Sequence, residues 1–188
     1  MTSGAASPTP KDQANRWMAF VPIGIFLGLA CLFLWAMYGN RVDRHTSALI
    51  GKPTPNFVLP DMNGDTLDLS TYAGRPIILN FYASWCAPCR VEHPQLLQLS
   101  KDTRLVVLGV AYRDDPAKTA AYLDELGNPY AQSAIDRQGS VGVQFGLAGV
   151  PETYIIGVDG TVLTRHQGEV TPKVAGELAK LALGSLAR

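Results

Sequence analysis

The sequence lacks an excess of charge of either sign and has few cysteines. Its 188 residues include 16 Lys and Arg against 16 Asp and Glu, so the formal net charge is zero. This balance argues against nucleic-acid binding, which requires a clustered basic face. Three cysteines are too few for a scaffold held together by several disulfides. A hydrophobic content of 47% excludes a disordered chain.

Long apolar runs are also scarce, and the one present covers residues 17–38 without a charge. A helix of that length spans roughly 33 Å, against a hydrocarbon core of about 30 Å. Trp17, Trp35 and Tyr38 lie near its ends, where amphipathic rings favour the membrane interface. We therefore predict a transmembrane anchor, in which Cys31 is a small apolar residue. The alternative is a cleaved signal peptide, whose apolar region is normally only ~7–15 residues long and ends in a small-residue cleavage site.

The chain divides into four segments. Residues 1–16 are small and polar and predict a disordered cytoplasmic tail, followed by the anchor at 17–38, a tether at 39–50 and one folded domain at 51–188. The length of the last segment is typical of a single domain. Basic residues flank the anchor equally, so the positive-inside rule gives no orientation.

The folded domain alternates strand and helix patterns. Turn signals at Asn63-Gly64-Asp65 and Asp159-Gly160 predict two hairpins. The alternation predicts an α/β fold with a mixed central sheet and helices on both faces. The predicted strands are 57–59, 66–69, 77–82, 105–110, 134–136, 153–158 and 161–164, and the predicted helices are 89–100, 117–126, 141–145 and 171–183.

The sharpest motif is Trp85-Cys86-Ala87-Pro88-Cys89, which follows a buried strand and opens a helix. At a helix N-terminus, unpaired N–H groups and the helix dipole stabilise an anion, so the pKa of Cys86 should be lowered. Cys89 lies one turn further on, within reach for a disulfide. Attack by Cys86 and resolution by Cys89 would complete a cycle of dithiol–disulfide exchange.

Other interpretations of the cysteine pair remain open. The pair could form half of a zinc site. A closed structural zinc site needs four ligands, and His93, otherwise interpreted as a surface residue, is one candidate for the third. Haem attachment needs histidine where Arg90 stands. A purely structural disulfide is a further alternative. In a peroxidase motif of the form P-x-x-x-T-x-x-C ending at Cys86, Leu79 and Ala83 occupy the Pro and Thr positions.

Residues 51–95, with Phe81-Tyr82-Ala83-Ser84-Trp85-Cys86-x-Pro88-Cys89 at their centre, resemble membrane-anchored thioredoxin-like proteins. Three further segments narrow the resemblance to the thiol:disulfide interchange proteins of cytochrome c maturation (CcmG/DsbE type). They are GVAYRDD at 109–115, LGNPY at 126–130 and PET at 151–153. The resemblance covers roughly 47–185 and the anchor. It implies a thioredoxin-like fold with an N-terminal hairpin and an inserted strand–helix element around 113–136.

The resemblance also implies the substrate-binding residues. Pro151 corresponds to a cis-proline that faces the cysteines, and the backbone before it pairs with a bound substrate strand. From the sequence alone, an ordinary trans proline would be expected, because few X–Pro bonds are cis. By the same resemblance, Trp85, Val150, Pro151 and Thr153 form the substrate-binding surface.

Two acidic residues are expected to tune the catalytic pair. General thioredoxins have a buried Asp where this chain has Asn80, a change that the maturation proteins share. Proton handling must then come from elsewhere, and Glu92 and Glu152 resemble the acidic residues near the active site in this subfamily. A solvated helix residue is the alternative interpretation of Glu92. With Cys86, Cys89 and Pro151, these two acids make up the predicted catalytic set.

The resemblance implies a function in the periplasm, on the outer face of the cytoplasmic membrane. The expected substrate is a disulfide in the CxxCH segment of apocytochrome c or in a maturation partner. Re-reduction is expected from a transmembrane electron carrier of the DsbD/CcdA type, and no metal or organic cofactor is expected. The alternatives are a general anchored reductase for other envelope proteins and a non-catalytic docking module for apocytochrome or haem.

Overall fold

The computed structural model describes residues 20–39 and 47–187 and separates into two units, 1–44 and 45–188. In the first unit, helix α1 covers Val21–Gly39. Over the two described ranges, no helix has the length and apolar character needed to cross a membrane. The anchor therefore stays a prediction. The predicted tail at 1–16 lies outside the described residues, as does most of the tether.

The second unit is built on a five-stranded mixed sheet, preceded by a two-stranded hairpin of β1 and β2. The order across the sheet is β5-β4-β3-β6-β7. This confirms the predicted thioredoxin-like α/β architecture, including the N-terminal hairpin. The strands are β1 Val58–Pro60, β2 Thr66–Asp68, β3 Ile77–Tyr82, β4 Val106–Tyr112, β5 Gln132–Asp136, β6 Glu152–Ile156 and β7 Val162–Gln167.

The central strand β3 is buried along its whole length, as expected of a strand covered on both faces. It pairs parallel to β4 and antiparallel to β6. Alternate residues enter two different cores. Ile78 and Tyr82 belong to the core that contains the cysteines, whereas Leu79 and Phe81 belong to the core on the other face.

Four helices complete this unit: α2 Ala87–Leu99, α3 Pro116–Leu126, α4 Ser140–Phe145 and α5 Pro172–Gly184. Capping explains three of their starts. Cys86, Asp115 and Thr171 each have a side chain that accepts a backbone N–H from the first turn, and a proline follows within that turn, where no helical N–H partner is lost. The predicted start of α2 at Cys89 is therefore two residues late, because Cys86 is the cap.

Candidate active site

The cysteine pair lies just beyond the carboxyl end of the central strand β3. Phe81 pairs with Glu152 across β3 and β6. One residue further in this antiparallel register, Pro151 stands opposite Tyr82. The loop that leaves β3 for Cys86 and the loop that enters β6 at Pro151 therefore meet at the same end of the sheet, as the resemblance implied.

Cys86 and Cys89 form a disulfide with their Cα atoms 5.3 Å apart. The Sγ atom of Cys86 accepts the N–H of Cys89 at 3.2 Å, so this sulfur occupies the capping position at the N-terminus of α2. Cys86 is 4% exposed and Cys89 is 1% exposed. Cys86 is therefore the more accessible residue of the pair.

The predicted substrate-binding residues differ in their exposure. Trp85 is 61% exposed beside the disulfide. Val150 is half-buried and packs against both cores. Thr153 is fully buried, and its hydroxyl accepts from the amide of Asn80 at 3.1 Å. A partner can therefore touch Trp85 and Val150, whereas the Thr153 side chain points into the protein.

The Val150–Pro151 peptide bond is cis, which confirms the prediction made from the resemblance. The Pro151 carbonyl accepts the N–H of Gly168 at 3.0 Å. This bond ties the start of β6 to the residue that follows β7. The cis-proline is thus fixed by the chain next to β7, on the side of β6 that faces away from β3.

Glu92 is completely buried, so its interpretation as a solvated helix residue is wrong. Its Oε1 accepts from the amide of Asn80 at 2.8 Å, and its Oε2 accepts the backbone N–H of Val170 at 2.9 Å. Burial raises the pKa of Glu92 to about 7, and these two hydrogen bonds only partly oppose that rise. Glu92 lies three residues after Cys89, on the same side of α2.

Asn80 connects this carboxyl group to a second motif. Its amide donates to Glu92 and Thr153, and its carbonyl oxygen accepts from the hydroxyl of Tyr130 at 2.8 Å. Every polar atom of the Asn80 side chain thus has a partner. No role was predicted for Tyr130, although it lies within the LGNPY segment at 126–130.

Glu152 is buried on the opposite face of the sheet from the cysteines. Residues two apart in a strand share a face, so Glu152 lies on the same face of β6 as Tyr154, which belongs to the core away from the cysteines. Its Oε1 lies 2.6 Å from Nε of Arg165, and its Oε2 accepts the backbone N–H of Ala148 at 3.4 Å. The contacts of Glu152 are therefore with the loop before Pro151, with β7 and, through the Tyr154 hydroxyl, with its own strand β6.

His93 is 1% exposed, so the interpretation of it as a surface residue is wrong. Its Nε2 lies 2.8 Å from the carbonyl oxygen of Gly127, which can only accept. Its Nδ1 lies 3.1 Å from the hydroxyl of Tyr122. His93 therefore links α2 to α3. Its pKa is lowered by burial.

The sequence of the chain is similar to those of known thiol–disulfide proteins. The family model described as Redoxin matches residues 49–181. The thiol:disulfide interchange protein DsbE of Escherichia coli K12 is 39% identical, with 88% of this chain and 93% of that protein covered. DsbE of Pseudomonas aeruginosa PAO1 is 38% identical, with 85% and 89% covered.

Solved structures give the same result. A Chlorobium tepidum structure described as thiol:disulfide interchange protein DsbE has a TM-score of 0.66 and 28% identity, covering 73% of this chain and 97% of that one. A secreted disulfide oxidoreductase of Mycobacterium tuberculosis has a TM-score of 0.60 and 21% identity, covering 68% and 95%. The latter supports the fold alone.

Proposed function

The chain belongs to the Redoxin family and, within it, to the DsbE thiol:disulfide interchange proteins, which makes it a thiol-disulfide oxidoreductase; we propose that it works as a membrane-anchored periplasmic reductant in cytochrome c maturation. Its substrate is a disulfide of an apocytochrome c CxxCH segment or of a maturation partner. The placement of the Cys86 sulfur at the N-terminus of α2 is the observation that supports this proposal most directly.

The reaction transfers two electrons from the dithiol to the substrate. The Cys86 thiolate attacks one sulfur of the substrate disulfide, and the other substrate sulfur leaves as a thiolate and takes up a proton. The Cys89 thiol then loses its proton and attacks the Cys86 sulfur. The second substrate thiolate leaves, and the enzyme disulfide seen here is the product.

The N-terminus of α2 favours the first step. The N–H of Cys89 points at the Cys86 sulfur, and a thiolate there gains from this donor and from the helix dipole. The same stabilisation would make Cys86 a good leaving group during re-reduction, when the donor's second thiol displaces it from the mixed disulfide.

Glu92 suits the proton transfer of the second step. A carboxyl group with a pKa of about 7 can hold or release a proton near neutral pH. Because Glu92 lies one turn after Cys89, we assign it the proton that Cys89 loses. Glu152 has a different role. It accepts the N–H of Ala148 and pairs with Arg165, and these contacts hold the loop that contains the cis-proline.

The partners follow from the same proposal. A protein disulfide would dock on Trp85 and Val150, with its backbone along the segment before Pro151. After each cycle the disulfide needs an electron donor, for which we propose a transmembrane carrier of the DsbD/CcdA type. The apolar segment at 17–38 would keep the enzyme close to that donor.

A trapping experiment tests the substrate. Full-length Cys89→Ala cannot resolve its mixed disulfide, so partners stay attached to Cys86 in a cell that makes c-type cytochromes. Reductant releases them for mass spectrometry, and the variant with both cysteines replaced by alanine is the control. We expect apocytochrome CxxCH segments or maturation subunits. Recovery of many unrelated envelope proteins would instead indicate a general reductase.

The same cells separate catalysis from docking. A chain with Cys86→Ser and Cys89→Ser should not support maturation when the periplasmic oxidant is present. Normal maturation with this variant would indicate a docking module and overturn the reductase proposal.

A further inference from the structure

Asp114 is a buried carboxylate that the reaction steps above do not use. It is 5% exposed and lies just beyond the end of β4. Strands β3 and β4 are parallel, with Tyr82 opposite Ala111, so their carboxyl ends share one edge of the sheet. Asp114 therefore lies beside the loop that runs from β3 to Cys86. The backbone turns sharply before it, because Arg113 has a φ of +49°.

The Asp114 carboxylate accepts four hydrogen bonds from three segments of the chain. Its Oδ2 accepts the backbone N–H of Ser84 at 2.6 Å and the hydroxyl of Thr119 at 3.0 Å. Its Oδ1 accepts the hydroxyl of Ser84 at 2.8 Å and the backbone N–H of Asp115 at 2.8 Å. Hydrogen bonds to an ionised acceptor are the stronger kind. Asp115, in contrast, caps α3 by accepting from its own first turn.

Ser84 is the residue that fixes the direction of the reactive loop. The carbonyl of Ala83 accepts the N–H of Cys86 at 3.1 Å, which closes a tight turn around Ser84 and Trp85. Asp114 holds Ser84 by both its backbone and its side chain. The position of this turn sets where Trp85 and the Cys86 sulfur face solvent.

Helix α3 also contacts the start of helix α2, just after Cys86. The hydroxyl of Tyr122 donates to the carbonyl of Cys89 at 3.1 Å. Arg90, the next residue, makes two hydrogen bonds to Glu125 at 2.8 and 3.0 Å. The segment 114–125 thus contacts both the turn before Cys86 and the start of helix α2.

We propose that Asp114 is a positioning residue for disulfide exchange, because it anchors the turn that presents Cys86 and couples that turn to α3. This proposal rests on the proposed function in one respect only, namely that Cys86 is the attacking sulfur. Exchange between protein disulfides requires the attacking sulfur to approach along the line of the bond that breaks. A small misplacement of an attacking group can cost on the order of 100-fold in rate.

The test compares Asp114→Asn with Asp115→Asn in the reduced full-length protein. Each change removes one carboxylate charge, and the two positions are adjacent. Asparagine at 115 still caps α3. Asparagine at 114 places an amide NH₂ where a carboxylate oxygen accepted two hydrogen bonds. Ser84 loses an acceptor in either orientation of the amide, together with Thr119 or the backbone N–H of Asp115. Ser84→Ala is the graded variant, because it keeps the backbone bond and loses only the hydroxyl bond.

Two rates are measured for each variant. The first is the reduction of a CxxCH peptide disulfide and, separately, of insulin. The second is alkylation of Cys86 by iodoacetamide at a pH where its thiolate is fully formed. Alkylation of Cys89, which is 1% exposed, reports on loosening of the fold.

We expect Asp114→Asn to slow disulfide reduction by about 10- to 100-fold, with Ser84→Ala in between and Asp115→Asn unchanged. Cys86 alkylation should change by less than about twofold, and Cys89 should stay protected. Equal loss in the two aspartate variants would overturn the proposal, as would loss of Cys89 protection in Asp114→Asn. Wild-type protein that reduces insulin but not the CxxCH peptide would refute the substrate assignment alone, since the variants are then compared on insulin.

Discussion

Glu92→Gln should stabilise the folded protein above neutral pH and destabilise it slightly in acid. Burial raises the pKa of Glu92 from 4.5 to about 7. Between these values, the folded protein keeps a proton that the unfolded chain has lost. The contribution of Glu92 to stability is therefore fully present below about pH 4.5 and is lost as the pH rises through 7. Glutamine resembles the protonated acid and does not ionise.

The size of the effect follows from the two pKa values. A pKa about 2.5 above its unfolded value corresponds to about 3 kcal/mol at 1.36 kcal/mol per pH unit. Asn80 and Val170 both donate to this carboxylate, and the amide nitrogen of glutamine can accept from neither. That mismatch costs about 1 kcal/mol. We expect the free energy of unfolding of the variant to exceed that of wild type by about 2 kcal/mol at pH 8, and to fall below it near pH 4.5.

Urea unfolding of the oxidised full-length chain from pH 4 to pH 8 measures this difference, since disulfide-bonded cysteines do not titrate. Glu125→Gln is the matched control. Arg90 lowers the pKa of Glu125, so this variant should lose a little stability at neutral pH and none in acid, with the opposite slope. A difference between Glu92→Gln and wild type that stays within about 0.5 kcal/mol across the whole range would refute the reasoning.

Further substitutions test the surrounding packing and charge. Asn80→Asp places a second carboxylate against a buried one, so its free energy of unfolding in urea should drop more at pH 8 than at pH 5. Gly109→Ala would put its Cβ 2.8 Å from a tyrosine ring and should cost about 1–3 kcal/mol in thermal unfolding. Gly176→Ala, which meets nothing within 4 Å, should be neutral or stabilising. Glu152→Gln leaves the buried Arg165 unpaired and should cost about 3–5 kcal/mol in urea unfolding, most of which Glu152→Gln combined with Arg165→Met should restore.

The fold was predictable because each element carries a local signal. The run at 77–82 is apolar throughout and became the central strand. Asp115-Pro116 and Thr171-Pro172 each combine a capping side chain with a first-turn proline, and each starts a helix. These signals depend only on neighbouring residues.

The burial of the polar side chains was not predictable in the same way. Glu92 and His93 stand on a helix that also exposes Val91 and Pro94, so periodicity alone does not say which face packs. Their burial depends on β3, α3 and the segment at Val170, which meet α2 only in the folded chain. Contacts between segments far apart in the chain cannot be deduced from the local pattern of a single sequence.

The two acidic residues that the resemblance grouped are separated by the geometry of a strand. Glu152 and Thr153 are neighbours in sequence, and a strand sends neighbouring side chains to opposite faces. Thr153 faces Asn80, on the same side as the cysteines, so Glu152 must face the other core, where Arg165 neutralises it. Glu92, on a helix packed over the first face, remains without a cationic partner among the contacts described for it. Burial raises the pKa of Glu92 into the neutral range. Its position one turn after Cys89 then makes Glu92 the acid suited to exchange a proton with the cysteine pair, whereas Glu152 lies on the other face of the sheet.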